Sequence, residues 1–225
     1  MTPGIDDGLA RFRETCRATE IPFACRGWGH ALFIFGFGTA ALVECLLQLK
    51  EVRALEWLTV PVAFLYSNLA EYVGHRFPMH RRLPGLGSIY KRHAGQHHRL
   101  FTHRAMELES QRDLRAVLFP PMLAVFFFGV FGVPIWLLLA WAVSANVAWL
   151  FIATGLAYYL NYEVLHLIYH APAQSRLARA RAVARLRLLH RTHHDPGVMA
   201  TCNFNIAYPI ADWLFRTLKR GPGAP

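Results

Sequence analysis

Long apolar runs dominate the pattern of hydrophobic and polar positions along this chain. Between Ala116 and Tyr162 there is no Asp, Glu, Lys or Arg, a stretch of 47 residues. Because one helix needs about 20 apolar residues to cross a bilayer, this stretch predicts two crossings, at 116–139 and 142–162. Two shorter runs, 31–48 and 57–73, are each interrupted by a single acidic residue and predict two further crossings.

Composition agrees with this interpretation. Hydrophobic residues make up 54% of the chain and charged residues 17%, whereas soluble domains are about 25% charged. Buried helices of a soluble protein are the alternative, but four such runs in 225 residues leave little chain to cover them. We therefore expect an all-α integral membrane fold forming one domain, residues 1–225, with four transmembrane helices and a cytoplasmic histidine-rich helical cap, 74–115 and 166–225.

The basic residues predict the orientation in the membrane. Of the 24 Lys and Arg residues, 22 precede the first predicted span, follow the fourth, or lie between the second and third. The positive-inside rule therefore places both termini and the cap in the cytoplasm. The 21 Arg against 3 Lys hint at a GC-rich bacterial source, so we expect a multi-pass protein of a bacterial inner membrane. Attraction to anionic lipid explains the net charge of +10 without a nucleic-acid partner.

The N-terminal residues carry a separate pattern. On a helix over 5–17, the side chains of Ile5, Leu9, Phe12 and Cys16 would share one face. Such a pattern is typical of a helix lying in the membrane interface, and a disordered tail is the alternative. No cleavable signal peptide is expected, because the stretch before the first apolar run is mostly polar.

Histidine carries the chemical information in this sequence. Ten of the twelve histidines fall into four short motifs at the cytoplasmic ends of predicted spans. The motifs are HRFPMH (His75, His80), HAGQHH (His93, His97, His98), HLIYH (His166, His170) and HRTHH (His190, His193, His194). Neutral imidazole binds Fe, Zn, Cu and Ni, and ten imidazoles exceed the needs of one ion, which indicates two metals. The scarcity of nearby carboxylates argues against a Glu-rich di-iron bundle.

The spacings predict how these side chains are displayed on helices. His166 and His170 are four residues apart and share a helix face. The three histidines of HRTHH, and nearly those of HAGQHH, should likewise project from one face. His75 and His80 are five apart, about 140° around an ideal helix, so they require either the kink that Pro78 can supply or a place on two separate elements.

The four motifs resemble the HX4H, HX3HH, HX3H and HX2HH boxes of the fatty acid hydroxylase / sterol desaturase superfamily. The resemblance extends from about Glu71 to His194 and includes the order of the motifs relative to the spans. It implies a dimetal centre held by the ten histidines, with iron as the working metal and zinc as a substitute in purified protein. It also implies O2 as co-substrate.

The activity implied by the resemblance is the hydroxylation of a lipid C–H bond, on a fatty acyl or other lipid chain. A desaturase acting on a sterol or fatty acyl chain is the close alternative. A membrane protein that binds or transports metal without redox chemistry is the alternative from another class.

The resemblance also implies partners. Two electrons would come from a separate cytochrome b5-, ferredoxin- or rubredoxin-like donor, and the lipid substrate would come from the bilayer. A fatty acyl chain is preferred, because Arg112–Pro121 resembles the corresponding segment of fatty acid hydroxylases. Aromatic residues in the spans would guide this chain or simply face lipid; they are Phe126–Phe128, Trp136 and Trp149.

Three further residues are candidates for supporting roles. Metal-bound imidazoles usually donate their second N–H to a carboxylate or a carbonyl. Glu71 lies four residues before His75, and Glu163 three before His166, so we expect each carboxylate to accept from its neighbour, or else to reach the interface. His103 lies outside the motifs and is a spare ligand, a proton donor or a surface residue.

Overall fold

The computed structural model describes residues 7–20 and 27–220. These residues are largely helical and contain no β-strand, only an isolated bridge between Thr102 and Ala105. The α-helices are α1 Asp7–Thr19, α2 Gly27–Leu32, α3 Gly38–Leu47, α4 Thr59–Gly74, α5 Gly87–Arg92, α6 His98–Leu100, α7 Leu114–Val117, α8 Pro121–Phe127, α9 Val133–Ala142, α10 Ala145–His170, α11 Arg176–Arg179, α12 Arg181–His193 and α13 Ile210–Leu214. Short segments of other helix types adjoin several of these α-helices. The 3-10 segments are Ala54–Leu58 and Gln111–Asp113, and the π-helical turns are Phe33–Phe37, His75–Met79, His93–His97 and Phe128–Gly132.

Two helical stretches are long and apolar enough to cross a membrane, Gly27–Leu47 and Gln111–Ala142. The second has a mean hydropathy of 2.4, and only 6% of its most apolar part is buried within the chain. Met122 and Trp141 on this stretch are 79% and 85% exposed. Because a soluble core helix would hide such residues, this surface fits an apolar surrounding medium.

The other two predicted spans form helices that do not meet the same test. α4 with the turns that continue it, 54–79, is long enough, but Asn68, Glu71 and His75 interrupt its apolar residues. α10 has 26 residues and is also long enough, but Asn146, Asn161 and Glu163 lie among its apolar residues. It packs against α3, α4 and α9. Length and composition thus support two of the four predicted crossings.

The helix bounds differ from the predicted ones at two places. The third run is not one helix from 116: α7 ends at Val117, residues 118–120 are not helical, and the helix resumes at Pro121, in the first turn, where proline is tolerated. The predicted turn near 141–145 is confirmed at 143–144, where the Ser144 hydroxyl accepts the Val147 N–H. The fourth helix continues beyond 162 to His170, so HLIYH lies on its last turns.

A polar cluster joins the two turns at the end of the bundle opposite the histidines. The Glu56 carboxylate accepts hydrogen bonds from the Ser144 hydroxyl at 2.5 Å, the Arg53 backbone N–H at 2.8 Å and the Asn146 amide at 3.2 Å. These bonds, led by the one from Ser144, lower the pKa of Glu56 to about 2. The alternating direction of α3, α4, α9 and α10 then brings all four histidine motifs to the other end.

α1 confirms the helix predicted near the N-terminus but corrects the role of its apolar face. Cys16 packs against Leu100, Phe101 and Val117 rather than facing lipid. Arg13 is 2% exposed and donates to the carbonyls of Leu100 at 2.8 Å and Ala105 at 2.9 Å. Ile5, the first residue of the predicted face, lies outside the described residues.

The buried guanidinium of Arg13 yields a stability prediction. It also pairs with Glu109, so Arg13→Ala would leave two carbonyls without this donor and Glu109 with Arg17 as its remaining ion-pair partner. Removing one partner of a buried ion pair usually lowers the free energy of unfolding by about 3–5 kcal/mol. Since Glu109 is 38% exposed, we expect Arg13→Ala to lower it by about 3 kcal/mol. Thermal unfolding of the detergent-purified protein measures it.

Arg11→Ala is the matched control, because Arg11 is exposed and its guanidinium bonds to Asp7 within the same helix. Equal melting temperatures for the two variants would contradict the docking of α1 through Arg13.

Candidate metal centre

Nine of the ten motif histidines form two compact groups whose ring nitrogens lie within 4.8 Å of one another. We call them the His75 group and the His97 group. The His75 group contains His75, His80, His93, His98 and His193; the His97 group contains His97, His170, His190 and His194. His166, the tenth, borders the His97 group, with its Nε2 atom 3.3 Å from Nε2 of His97.

Two π-helical turns bring the histidines of HRFPMH together and bring His93 and His98 of HAGQHH together. In a π-helix the backbone bonds run between residues five apart, so such residues are brought to one face. The turn His75–Met79, which contains Pro78, thereby places His75 and His80 in the same group. The turn His93–His97 does the same for the first and last histidines of HAGQHH.

The histidine rings within HAGQHH and within HRTHH contact one another, but each motif divides its histidines between the two groups. In HAGQHH, His93 and His98 belong to the His75 group, whereas His97 belongs to the His97 group. In HRTHH, on the regular helix α12, His190 and His194 share a face while His193 joins the His75 group. Each of these motifs consequently serves both groups.

The two groups are adjacent. The ring of His98, in the His75 group, stacks on the ring of His194, in the His97 group, with centroids 4.3 Å apart. The rings of His93 and His97 are stacked at 5.2 Å. The sequence indicated two metals, and the structure provides two neighbouring clusters of candidate ligands.

Burial keeps these imidazoles in the form that binds metal. Every one of the ten is at most 9% exposed. Loss of solvation lowers the pKa of all ten, to about 4 for His75 and about 2 for His80. They are therefore neutral near pH 7, and a neutral ring nitrogen is what a metal ion requires.

The hydrogen bonds at Nδ1 test whether a cation fits. Nδ1 of His97 contacts the Ala116 carbonyl at 3.0 Å, and Nδ1 of His194 contacts the Phe101 carbonyl at 2.5 Å. A carbonyl only accepts, so both Nδ1 atoms carry the proton and both Nε2 atoms carry a lone pair. Those two Nε2 atoms face each other at 3.2 Å. No proton lies between them, so a bound cation is what makes this buried contact favourable.

The spacing of the ring nitrogens also suits an ion. Neighbouring Nε2 atoms within the groups lie 2.8–3.2 Å apart. Ligands held about 2.0–2.1 Å from a central ion are separated by roughly this distance. The residues present therefore fit a metal at each group.

A family comparison agrees with this geometry. The model of the fatty acid hydroxylase family matches residues 60–217, which is more than half of the chain and includes all ten histidines. The chain belongs to the fatty acid hydroxylase family. Members of this family are generally metal-dependent oxidoreductases. No curated protein and no solved structure matches the chain.

The two expected carboxylate contacts are not formed. Among the described residues neither Glu71 nor Glu163 hydrogen-bonds to an imidazole. Glu71 instead accepts from the Tyr158 hydroxyl at 2.5 Å and from backbone N–H groups of the segment after Cys202. Glu163 accepts from the backbone N–H of Phe119 at 3.0 Å. The helix spacing was right for a shared face, but loops packed against that face supply closer donors.

Backbone carbonyls take the role that the carboxylates were expected to play. Besides Ala116 and Phe101, three more carbonyls accept Nδ1–H from candidate ligands. The pairs are His75 with Phe204 at 2.5 Å, His170 with Met106 at 2.7 Å and His193 with Cys202 at 2.8 Å. No side-chain motif marks a carbonyl acceptor, so sequence reasoning missed these five residues.

The two remaining histidines stand apart from both groups. His103 is half-buried, and its backbone N–H donates to the carbonyl of His194 at 3.3 Å. His30 contacts the Phe119 carbonyl through its Nε2 atom at 2.8 Å. The structure thus places His103 beside the centre but outside the two ligand clusters.

We expect His97→Ala to remove one of two metal ions per chain, because His97 is central to its group and contacts both His194 and His166. Metal content of the purified protein, measured by inductively coupled plasma mass spectrometry, checks this. His103→Ala is the matched control and should retain two ions. Retention of both ions by His97→Ala would contradict the assignment of His97 as a metal ligand. Loss of an ion by His103→Ala would contradict the placement of His103 outside the ligand clusters.

Proposed function

We propose that this chain is an O2-dependent dimetal hydroxylase that oxidises a C–H bond of a lipid hydrocarbon chain, with one iron at each histidine group. The supporting observation is the pair of adjacent, buried, all-imidazole groups in a member of the fatty acid hydroxylase family. Iron bound there would supply the activation of O2 and the oxidation of the C–H bond.

The chain's own residues hold and isolate this centre. Ring nitrogens from α10, α12 and the two π-helical turns act as ligands, and the ten histidines of the motifs are all included. Backbone carbonyls fix the ring orientations, so the ligand geometry exists before an ion arrives. Burial of the rings excludes bulk water from the metal positions.

The proposed topology has four crossings with the centre on the cytoplasmic side. α4 becomes long enough when its flanking turns are included, since residues 54–79 form one continuous helical stretch. By their positions in the sequence, 22 of the 24 basic residues lie on the same side of the four predicted spans as the histidine motifs. The positive-inside rule assigns that side to the cytoplasm.

An apolar cavity within the bundle suits a hydrocarbon chain. It encloses about 490 Å³ between α3, α8, α9 and α10. Small residues on facing helices open the space, and Gly38, Ala41, Gly129 and Gly132 are among its lining residues. Such an apolar, concave site binds flexible alkyl groups by burying them.

The cavity runs along α10 toward the metal centre. The rings of Trp136 and Trp149, with centroids 5.0 Å apart, line its far part. Tyr159 lines its near part and precedes His166 by seven residues, about 10 Å along the helix. We propose that a fatty acyl chain from the bilayer occupies this cavity with its reacting carbon beyond Tyr159.

A separate redox protein is the proposed source of the two electrons, of the cytochrome b5, ferredoxin or rubredoxin type. α11 and α12 expose four arginines, Arg176, Arg179, Arg181 and Arg185. An acidic donor would be complementary to this surface. Since α12 also carries three candidate ligands, docking there would bring the donor close to the centre.

The proposed function is tested by lipid mass spectrometry. Membranes of cells that express the chain, supplied with iron, O2 and reductant, should contain lipid that has gained one oxygen atom. His97→Ala should abolish this product. Lipid that has lost two hydrogens instead would indicate a desaturase. Unchanged lipid around a protein with two bound ions would contradict the oxygenase and favour a non-redox metal-binding protein.

The cavity makes a chain-length prediction. A Cβ atom at Gly129 would meet nothing within 4 Å, so Gly129→Leu would project into the cavity without distorting the helix. We expect turnover of long acyl chains to fall relative to short ones, with metal content unchanged. Product chain lengths, measured by mass spectrometry, check this.

Gly36→Leu is the matched control for that experiment. Gly36 is exposed on the π-helical turn Phe33–Phe37 and does not line the cavity. An unaltered chain-length profile in Gly129→Leu, or the same change in both variants, would exclude the cavity as the acyl site.

A further inference from the structure

The carbonyls that orient the imidazoles come from two different segments, one for each group. In the His75 group, His75 donates to Phe204 and His193 donates to Cys202. In the His97 group, all three acceptors lie within residues 101–116. The two groups are adjacent, yet each is supported by its own stretch of chain.

Asp212 fixes the first of the two carbonyls that serve the His75 group. Its side chain is fully buried, and its carboxylate accepts the Asn205 N–H at 2.7 Å and the Phe204 N–H at 3.0 Å. The Asn205 N–H and the Phe204 carbonyl belong to one planar peptide unit. Holding that N–H therefore sets the direction of the carbonyl that accepts from His75.

The second carbonyl is fixed through Thr217. The Cys202 carbonyl shares its peptide unit with the Asn203 N–H, which donates to the Thr217 carbonyl at 3.0 Å. The Thr217 hydroxyl donates to Asp212 at 2.6 Å, and its N–H donates to the Asp212 carbonyl at 2.8 Å. Both supporting peptide units are thus connected to the same buried carboxylate.

We propose that Asp212 is a positioning residue for His75 and His193, and that it sets the metal affinity of the His75 group alone. The inference rests on the dimetal part of the proposed function and not on the lipid reaction. Partners outside the ligand shell typically change metal affinity by about 10–100-fold. An Asn side chain has nearly the same shape but presents an N–H where Asp212 has an acceptor, so it breaks this support with little change in volume.

The test is a zinc titration of the full-length purified protein against a competing chelator. In Asp212→Asn we expect one of two zinc sites to weaken by about 10–100-fold and the other to keep its parental affinity. Glu56→Gln, at the opposite end of the bundle, is the control for general destabilisation and should keep both sites.

Combined variants identify which site is affected. His80→Ala damages only the His75 group, so adding Asp212→Asn should leave the one remaining site unchanged. His170→Ala damages only the His97 group, so adding Asp212→Asn should weaken the remaining site as well. The opposite pattern would overturn the inference.

Thr217→Val keeps the test decisive if Asp212→Asn does not fold. It removes the hydroxyl bond to Asp212 at 2.6 Å and a longer one to the Tyr72 hydroxyl at 3.3 Å, and it should weaken the same site by a smaller factor. Parental affinity at both sites, or equal weakening of both, would overturn the proposal in either variant. Failure to oxidise lipid would contradict the proposed function and would leave the zinc affinities, which decide this inference, unaffected.

Discussion

The structure depends on the hydrogen bond between the Nδ1–H of an imidazole and a backbone carbonyl. Five of the ten motif histidines make this bond, and each one turns an unprotonated Nε2 atom inward. Facing lone pairs in a buried site repel each other unless a cation lies between them. The same bonds that order the loops therefore also make a bound cation favourable between the rings.

The rest of the chain keeps these bonds in place. α10 contacts α3, α4 and α9 and carries HLIYH at its last turns, so the bundle delivers two ligands directly. α1 fixes the segment that carries the Phe101 and Met106 carbonyls, with the buried Arg13 as its main contact. Asp212 holds the segment that carries the Phe204 and Cys202 carbonyls. Rigid support of this kind lets a centre without carboxylate ligands keep its geometry.

Much of the centre could be predicted from the sequence because histidine spacing is a local property. The apolar runs located the helices of the bundle, and the motifs located the candidate ligands at one end. The division of HAGQHH between two groups could not be predicted, since it depends on a π-helical turn at His93 that shifts the face by one residue. A prediction from residue spacing assumes a uniform α-helix, so it does not detect the extra residue of a π-helical turn.

Other features escaped prediction for a different reason. Glu71 shares a face with His75, as its spacing requires. Its carboxylate nevertheless accepts hydrogen bonds from backbone N–H groups more than 130 residues later in the chain, not from His75. The apolar residues of α1 match an interfacial helix, yet Cys16 packs on Leu100 and Phe101. A sequence pattern shows which face is apolar or polar, and tertiary packing decides what covers it.

X-ray absorption spectroscopy at the iron edge of the purified protein tests the central claim most directly. Two ions per chain, each surrounded mainly by imidazole nitrogen at about 2.0–2.2 Å, are the predicted result. A first shell dominated by carboxylate oxygen or by sulfur, or a single ion per chain, would contradict a centre built from two histidine groups.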